Sequence, residues 1–203
     1  MFIIVKAGPP PMIILSNATL VIIDMQQGIQ HPRLGRRNNL QADANMLTLL
    51  HAWRDTGRPV IHVRHFSRSP DSVFWPGQSG VEYQPAFLPL SDEAELRKQV
   101  PDAFCGTPLE QWLRSDAITQ LVIVGVATNN SVESTARSGG NLGFEVIVAH
   151  DACFTFDQAD FFGTPRSAQE VHAMSLGNLH GEYATVLCAE DILKGFAETP
   201  RSL

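Results

Sequence analysis

Residues 121–137 have the sequence LVIVGVATNNSVESTAR. The first six are mostly β-branched and the next five are small or polar, which is typical of a strand that turns directly into a helix. Ser131 would then lie at the N-terminus of that helix, where unpaired backbone N–H groups and the helix dipole stabilise an anion. A capping serine is the commoner explanation of such a residue, so both roles stay open at this point.

Four further apolar runs predict buried strands, at residues 19–23, 59–63, 145–149 and 184–187. Together with residues 120–126, they are apolar throughout rather than alternating. Continuous apolar character is typical of strands that are covered on both faces, as in a parallel sheet.

Segments of helical length lie between these strands, at residues 39–53, 107–113, 130–141 and 165–179. Pro165 suits the first position of the last helix, and Gly181 suits its end. The alternation predicts a single-domain, three-layer α/β/α fold with a mainly parallel, Rossmann-like central sheet. We expect the domain to span residues 19–195, after an extension and lead-in over residues 1–18 and before a tail over residues 196–203.

Composition excludes several classes of protein. The chain of 203 residues is 44% hydrophobic and 18% charged, which is ordinary for one globular domain. Its net charge of −6 argues against nucleic acid as a partner. Prolines interrupt the apolar N-terminus, and no other run reaches the roughly 18 apolar residues of a membrane span, so we expect neither export nor membrane insertion. Three widely spaced cysteines fit a reducing cytoplasm better than a disulfide framework.

A long connection over residues 67–91 contains four prolines and two glycines at irregular intervals. Loops of this length are usually either functional or mobile. Trp75, Tyr83 and Phe87 favour an ordered loop that covers a pocket. Ligands are expected near it, because they collect at the carboxyl ends of parallel strands.

Two charged residues are candidates for chemistry at that edge of the sheet. Asp24 directly follows the apolar strand VII at residues 21–23, where a carboxylate could act as a general base or simply cap a turn. Lys98 would keep a neighbouring carboxylate ionised and would stabilise a developing oxyanion. Spacing along the chain does not show whether the two side chains meet, and an isolated lysine is usually a solvated surface charge.

Neither the histidines nor the cysteines form a pattern that indicates a metal site. His62 and His65 are three positions apart on a strand, so they are poorly placed to chelate one ion together. We therefore expect no metal and no cofactor. Cys105 and Cys188 are interpreted as buried thiols and Cys153 as structural.

Three segments together resemble the isochorismatase-like cysteine hydrolase family. They are VIIDMQ at residues 21–26, Lys98 followed by AFCGTPL at residues 103–109, and GVATNNSVESTAR at residues 125–137. The later segments NLGFEV, HDA and HGEYA, at residues 141–146, 150–152 and 180–184, also look like landmarks of the family. The resemblance extends from about residue 19 to residue 193.

The resemblance implies an Asp, Lys and Cys triad that hydrolyses small amides, ureas or related molecules. Asp24 matches the base, Lys98 matches its electrostatic partner, and Ser131 falls at the position of the nucleophilic cysteine. The resemblance also implies an oxyanion site formed by the backbone N–H groups of Ala127 and Ser131, with a cis peptide bond before Ala127. A homo-oligomer that acts on a small-molecule substrate is expected on the same ground.

The serine at position 131 leaves several functions open. The cysteine could have been replaced deliberately, which would leave an intact pocket with little activity. Serine could be the natural nucleophile with Asp24 as its base, although a hydroxyl is far less acidic than a thiol. The protein could instead cleave a vinyl ether, as isochorismatases do, with Asp24 as proton donor and with Arg36, Arg37 or Arg64 binding the substrate carboxylates. Finally, it could bind a small molecule without catalysis.

Overall fold

The central sheet has six parallel strands in the order β3-β2-β1-β4-β5-β8. The computed structural model describes residues 12–196, so the first part of the predicted N-terminal extension and residues 197–203 of the tail lie outside the described residues. The strands of the sheet are β1 (Thr19–Ile23), β2 (Val60–His65), β3 (Ala94–Lys98), β4 (Gln120–Val126), β5 (Glu145–Phe154) and β8 (Thr185–Leu187). A short antiparallel hairpin is formed by β6 (Gln158–Ala159) and β7 (Pro165–Arg166).

Two layers of helix cover the sheet. The helices are α1 (Ala42–Asp55), α2 (Leu109–Ser115), α3 (Glu133–Asn141), α4 (Ala168–Leu179) and α5 (Ala189–Lys194). Leu20 and Ile22 of β1 belong to the core cluster with α1 and α5, whereas Val21 and Ile23 belong to the cluster with α2, α3 and α4. Successive strand residues point to opposite faces, so a continuous apolar run is required here. The predicted three-layer α/β/α fold is confirmed.

Strand β3 was not predicted, because its residues AELRK are mostly polar. It lies at the edge of the sheet, and only Leu96 and Lys98 are buried. An edge strand with one solvated face alternates between polar and buried residues. This alternation was the available signal for β3.

The predicted start of the last helix at Pro165 is wrong. Pro165 and Arg166 pair with β6, and Arg166 contacts Asp160 at 2.8 Å. Helix α4 begins after Ser167, whose hydroxyl accepts the Glu170 N–H while the Glu170 carboxylate accepts the Ser167 N–H. This capping box satisfies the backbone N–H groups of Ser167 and Glu170. Pro165 could not cap the helix in this way.

Among residues 12–196, none of the helices combines the length and the apolar character that a bilayer span requires.

Gly125 lies where β4 passes closest to β1. Its φ is +123°, and a Cβ atom built on it would lie 2.2 Å from the carbonyl oxygen of Ile23. The pairing of β4 with β5 also shifts register between Ile123 and Gly125. Any residue with a side chain at position 125 would therefore adopt a backbone conformation that L-residues avoid. Its Cβ atom would also clash with a backbone oxygen that cannot move aside.

Glu93 holds the start of β3 against its neighbours. Its carboxylate accepts hydrogen bonds from Arg54 at 2.7 and 2.8 Å, from His62 Nε2 at 2.8 Å and from the Leu90 N–H at 2.8 Å. Burial alone would raise the pKa of Glu93, but the hydrogen bonds from Arg54, Leu90 and His62 lower it to about 2. Glu93 thus links α1 and β2 to the strand that ends in Lys98.

We expect Glu93→Gln to lower the free energy of unfolding by about 3 kcal/mol at pH 7. Because the folded pKa lies below the ordinary 4.5, this stabilisation is complete above pH 4.5 and is lost as the pH falls towards 2. Urea unfolding of both proteins should show the difference shrinking by more than half at pH 3. A difference independent of pH would mean that Glu93 acts through packing alone. Glu110→Gln, in an exposed pair with Arg114, is the control and should cost less than about 1 kcal/mol.

Candidate active site

Three strands deliver the candidate residues to one edge of the sheet. Asp24 follows β1, Lys98 ends β3, and Ser131 lies beyond the end of β4. The Asp24 N–H donates to the Val63 carbonyl, and its φ of 55° turns the chain away from the strand direction. The parallel arrangement thus brings together side chains that are far apart in the sequence, at the edge where the sequence placed the ligand site.

The ammonium group of Lys98 is the centre of the cluster. Its Nζ lies 2.8 Å from Asp24 Oδ2, 3.1 Å from Ser131 Oγ and 3.5 Å from His65 Nδ1. Lys98, Asp24 and Ser131 are respectively 1%, 4% and 6% exposed. A buried lysine is costly unless it is paired and hydrogen-bonded. Here one carboxylate balances its charge, and one hydroxyl lies within its reach.

The second carboxylate oxygen of Asp24 is unpartnered. Asp24 Oδ1 is buried, and no hydrogen-bond donor in the described part of the chain reaches it. Asp24 also lines the cavity that contains Ser131. A desolvated acceptor that shares a cavity with a hydroxyl can take a proton from a nucleophile or bind a substrate N–H group.

Ser131 lies on a tight turn rather than in the first turn of a regular helix. The Val126–Ala127 peptide bond is cis, as the resemblance implies, and a π-helical turn follows over Thr128–Val132. The Ala127 carbonyl accepts hydrogen bonds from the N–H groups of Asn130 and Val132. Helix α3 begins only at Glu133, three residues later than the sequence predicted. Ala127 and Ser131 both line the cavity, and their assignment as oxyanion donors stays a prediction.

The cavity has a volume of about 560 Å³ and is mainly apolar. Its apolar wall is formed by Ile29, Leu34, Phe74, Val100, Pro101, Val126 and Phe156. Ser67, Arg68, Ser69, Ser72 and Phe74 come from the long connection over residues 67–91, so that loop does form part of the cavity wall. Of the three aromatic residues that indicated this, Tyr83 and Phe87 are buried in the loop, and none of the three lines the cavity. A cavity of this size and character suits a small organic molecule.

The profile of the isochorismatase domain matches residues 18–191 of this chain. The chain belongs to the isochorismatase family. The isochorismatase family protein YrdC of Bacillus subtilis is 36% identical over 180 residues, which are 89% of this chain and 96% of YrdC. A solved structure of an isochorismatase-family protein from Chromobacterium violaceum has 48% identity and a TM-score of 0.89, and the match covers 93% of this chain and 98% of that one.

A partial match connects this isochorismatase-family hydrolase to an enzyme with a named substrate. The streptothricin hydrolase of Streptomyces noursei is 33% identical over 109 residues, which are 54% of this chain and 43% of that enzyme.

Two polar residues that line the cavity of this isochorismatase-family protein were not selected from the sequence. His65 was considered only as a metal ligand, yet its ring lines the cavity beside Lys98. Burial and the Lys98 charge lower the pKa of His65, so the imidazole is neutral at pH 7. Arg68 is exposed at the cavity wall and donates through Nε to Gln99 Oε1 at 3.2 Å. The pattern RHFSR at residues 64–68 follows a strand at the ligand edge, which was the available signal for both.

The arginines that were considered as carboxylate partners lie elsewhere in this isochorismatase-family protein. Arg37 stacks on Phe154 and pairs with Asp43, and Arg64 stacks on Tyr83 and faces Glu82 and Glu95. Arg36 is exposed beside Asp157. None of the three lines the cavity around Ser131, so their position does not support this alternative.

The cysteines differ in part from their interpretation. Cys153 is fully buried, and burial raises the pKa of its thiol to about 12, which makes it unreactive at pH 7. Cys105 is exposed, and Cys188 is half-buried with its sulfur accepting the Asp191 N–H at the start of α5. The interpretation of these two as buried thiols is wrong, because Cys105 lies in a surface loop and Cys188 caps a helix.

No cluster of three or more potential metal ligands is found within residues 12–196. His62 binds Glu93 on one side of β2, and His65 faces the cavity on the other side. The two rings therefore lie on opposite sides of β2, as the strand spacing predicted.

Proposed function

We propose that this isochorismatase-family hydrolase cleaves the carbon–nitrogen bond of a small amide or urea-like molecule. Asp24, Lys98 and residue 131 would form the reacting group, with serine at the position where the family resemblance expects cysteine. The observation that carries the proposal is the position of Lys98 Nζ, which reaches both Asp24 Oδ2 and Ser131 Oγ in a mainly apolar cavity. The partial match to a streptothricin hydrolase supports hydrolysis as the reaction.

In the acylation step, Asp24 accepts the proton of the nucleophile as that nucleophile bonds to the carbonyl carbon. The carbonyl π electrons move to oxygen, where the N–H groups of Ala127 and residue 131 stabilise the charge. Protonated Asp24 then returns the proton to the leaving nitrogen as the carbon–nitrogen bond breaks. Lys98, with Nζ 2.8 Å from Asp24 Oδ2, offsets the negative charge that forms beside it.

In the deacylation step, Asp24 takes a proton from water while the water oxygen attacks the acyl carbon. The acid product leaves, and the proton returns to the nucleophile. A thiol suits this cycle better than a hydroxyl, because its pKa of about 8.5 lies much nearer the working pH. The sequence as it stands is therefore expected to bind its substrate but to turn it over slowly.

We expect Ser131→Cys to increase the hydrolysis of at least one small amide or urea by a hundredfold or more over the unaltered chain, on the order of what nucleophile activation contributes. A panel of amides, ureas and isochorismate, with each protein also weighed intact, tests this. An acyl adduct on the Ser131→Cys protein alone would identify position 131 as the nucleophile.

Other outcomes of the same panel identify the rival functions. Equal turnover by both proteins would make a covalent nucleophile dispensable and would favour acid catalysis by Asp24 on a vinyl ether. Binding without turnover by both proteins would favour a binding protein. Arg36, Arg37 and Arg64 lie outside the cavity, so they give no support to an isochorismate-type dicarboxylate.

A further inference from the structure

Helix α4 contacts the back of the turn that carries Ser131. His172 and Ser175 of α4 are 3% and 2% exposed, and both reach Thr128, the first residue of the turn, which is fully buried. His172 Nδ1 lies 2.8 Å from Thr128 Oγ1, and Ser175 Oγ lies 3.1 Å from the Thr128 carbonyl oxygen. Neither side chain lines the cavity, and the mechanism above uses neither.

The other ring nitrogen fixes the direction of the His172 hydrogen bond. The His150 carbonyl, near the ring, accepts a hydrogen bond from Asn39 Nδ2 at 2.9 Å. Asn39 Nδ2 lies 3.3 Å from His172 Nε2, and its two hydrogens are taken by the carbonyls of His150 and Cys153. Because Asn39 has no hydrogen left to donate to the ring, we assign the proton to Nε2, so that Nδ1 accepts the Thr128 hydroxyl proton. Burial lowers the pKa of His172 to about 4, so this neutral form persists at pH 7.

The far end of the turn is held from the same helix. Ser175 Oγ lies 2.6 Å from Glu133 Oε2, and Glu133 is the first residue of α3. Glu133 in turn accepts from Arg137 at 2.7 Å. Thus α4 contacts the residues on both sides of the segment that contains Ser131.

We propose that His172, acting through the Thr128 hydroxyl, is a positioning residue that sets the place of the side chain at position 131 relative to Lys98 and Asp24. The inference rests on the proposed function in taking residue 131 as the nucleophile. Only two residues separate Thr128 from Ser131. A displacement of the Thr128 side chain therefore changes the distance between Lys98 Nζ and Ser131 Oγ, which is now 3.1 Å.

Stability alone does not account for a buried Thr–His pair. Replacing both partners of a buried hydrogen bond by apolar groups of similar shape is often nearly neutral, whereas leaving one partner unpaired is costly. A polar pair with a defined direction adds geometric specificity, which an apolar contact of equal volume would not supply. Catalytic groups need such geometric specificity, because a small displacement of a reacting atom lowers the reaction rate strongly.

The test uses the full chain with Ser131→Cys, so that the introduced thiol reports its own surroundings. Thr128→Val removes the hydroxyl at nearly constant volume, and Thr128→Ser keeps it. Thr135→Val is the matched control, because Thr135 is equally buried and its hydroxyl contacts Ala103 N at 3.0 Å rather than the turn. The readout is the rate of alkylation by iodoacetamide at position 131 against pH, measured by peptide mass so that Cys105 is counted separately.

We expect Thr128→Val to slow alkylation at pH 7 by about tenfold, as a rise of one unit in the thiol pKa would do. Thr128→Ser should stay within about twofold of the parent, and Thr135→Val should lower the Tm without changing alkylation. Where an amide is hydrolysed, kcat should fall with alkylation while KM is unchanged. His172→Phe should behave like Thr128→Val, and combining the two should cost little more, because both remove one interaction.

Unchanged alkylation in folded Thr128→Val and His172→Phe proteins would overturn the proposal. So would an equal loss in Thr135→Val, since it would show a general effect of destabilisation. If alkylation responds as expected but no variant hydrolyses any amide, the positioning role stands and the proposed function fails. The two ideas are thereby tested separately.

Discussion

Asp24→Asn, introduced into the Ser131→Cys protein, should lower kcat/KM for a hydrolysed amide by about a thousandfold, within the range for loss of a general base. Asparagine keeps the shape of the side chain and can still accept a hydrogen bond from Lys98 Nζ. It cannot take the proton of the thiol, and it leaves the buried ammonium without the counter-charge now 2.8 Å away.

The same substitution should also reduce stability, by roughly 3–5 kcal/mol if Lys98 stays charged. The assay therefore needs a temperature well below the measured Tm and a check of fold by circular dichroism. Asp116→Asn, at an exposed helix end, changes the same side chain away from the site and should leave kcat/KM unchanged. If the folded Asp24→Asn protein kept activity within tenfold of its parent, Asp24 would not be the base.

Gly125→Ala should damage the fold severely, costing about 4 kcal/mol or more. The new Cβ would lie 2.2 Å from the Ile23 carbonyl oxygen at a φ of +123°. Either β1 and β4 separate, or β4 loses the φ of +123° at Gly125 and the register shift beside it. Because Ile23 immediately precedes Asp24, any protein that still folds should also lose the contact between Asp24 and Lys98.

Gly177→Ala is the matched control for this prediction. Gly177 lies inside α4, and a Cβ there meets no other atom within 4 Å. Alanine should therefore stabilise the protein by about 0.5–1 kcal/mol through helix propensity. Urea unfolding and soluble yield measure both variants, and a small cost for Gly125→Ala would show that the two strands can move apart cheaply.

The sequence predicted the strands most accurately where both faces of the strand are buried. Strands β1 and β4 were predicted with their observed bounds, since both of their faces are covered and every position except Gln120 is apolar or small. Strand β3 and the β6–β7 hairpin escaped prediction, because solvent covers one or both of their faces and permits polar residues and proline. Turn chemistry at Ser167, rather than periodicity, decides where α4 begins.

The candidate site was predictable only in part. Asp24 and Ser131 could be selected because each follows an apolar strand, but their meeting with Lys98 depends on the register in which His65 pairs with Lys98. Spacing along the chain carries no such information, and the resemblance to a family supplied it. His65, Arg68 and Phe74 were missed as cavity residues because their places depend on the path of the long loop. The catalytic roles of Asp24, Lys98 and Ser131 stay predictions.

The order of strands also governs when this protein can fold during its synthesis. Thr19 at the start of the central strand β1 pairs with Leu121 of β4, so one side of β1 has no partner until more than half of the chain has left the ribosome. Pairing over such a separation is slow, and an unpaired apolar strand invites association with other chains. The apolar stretch Thr19–Ile23 must therefore be shielded from other chains through most of the translation of this protein. For the same reason, Asp24, Lys98 and Ser131 cannot meet before residue 131 has been made.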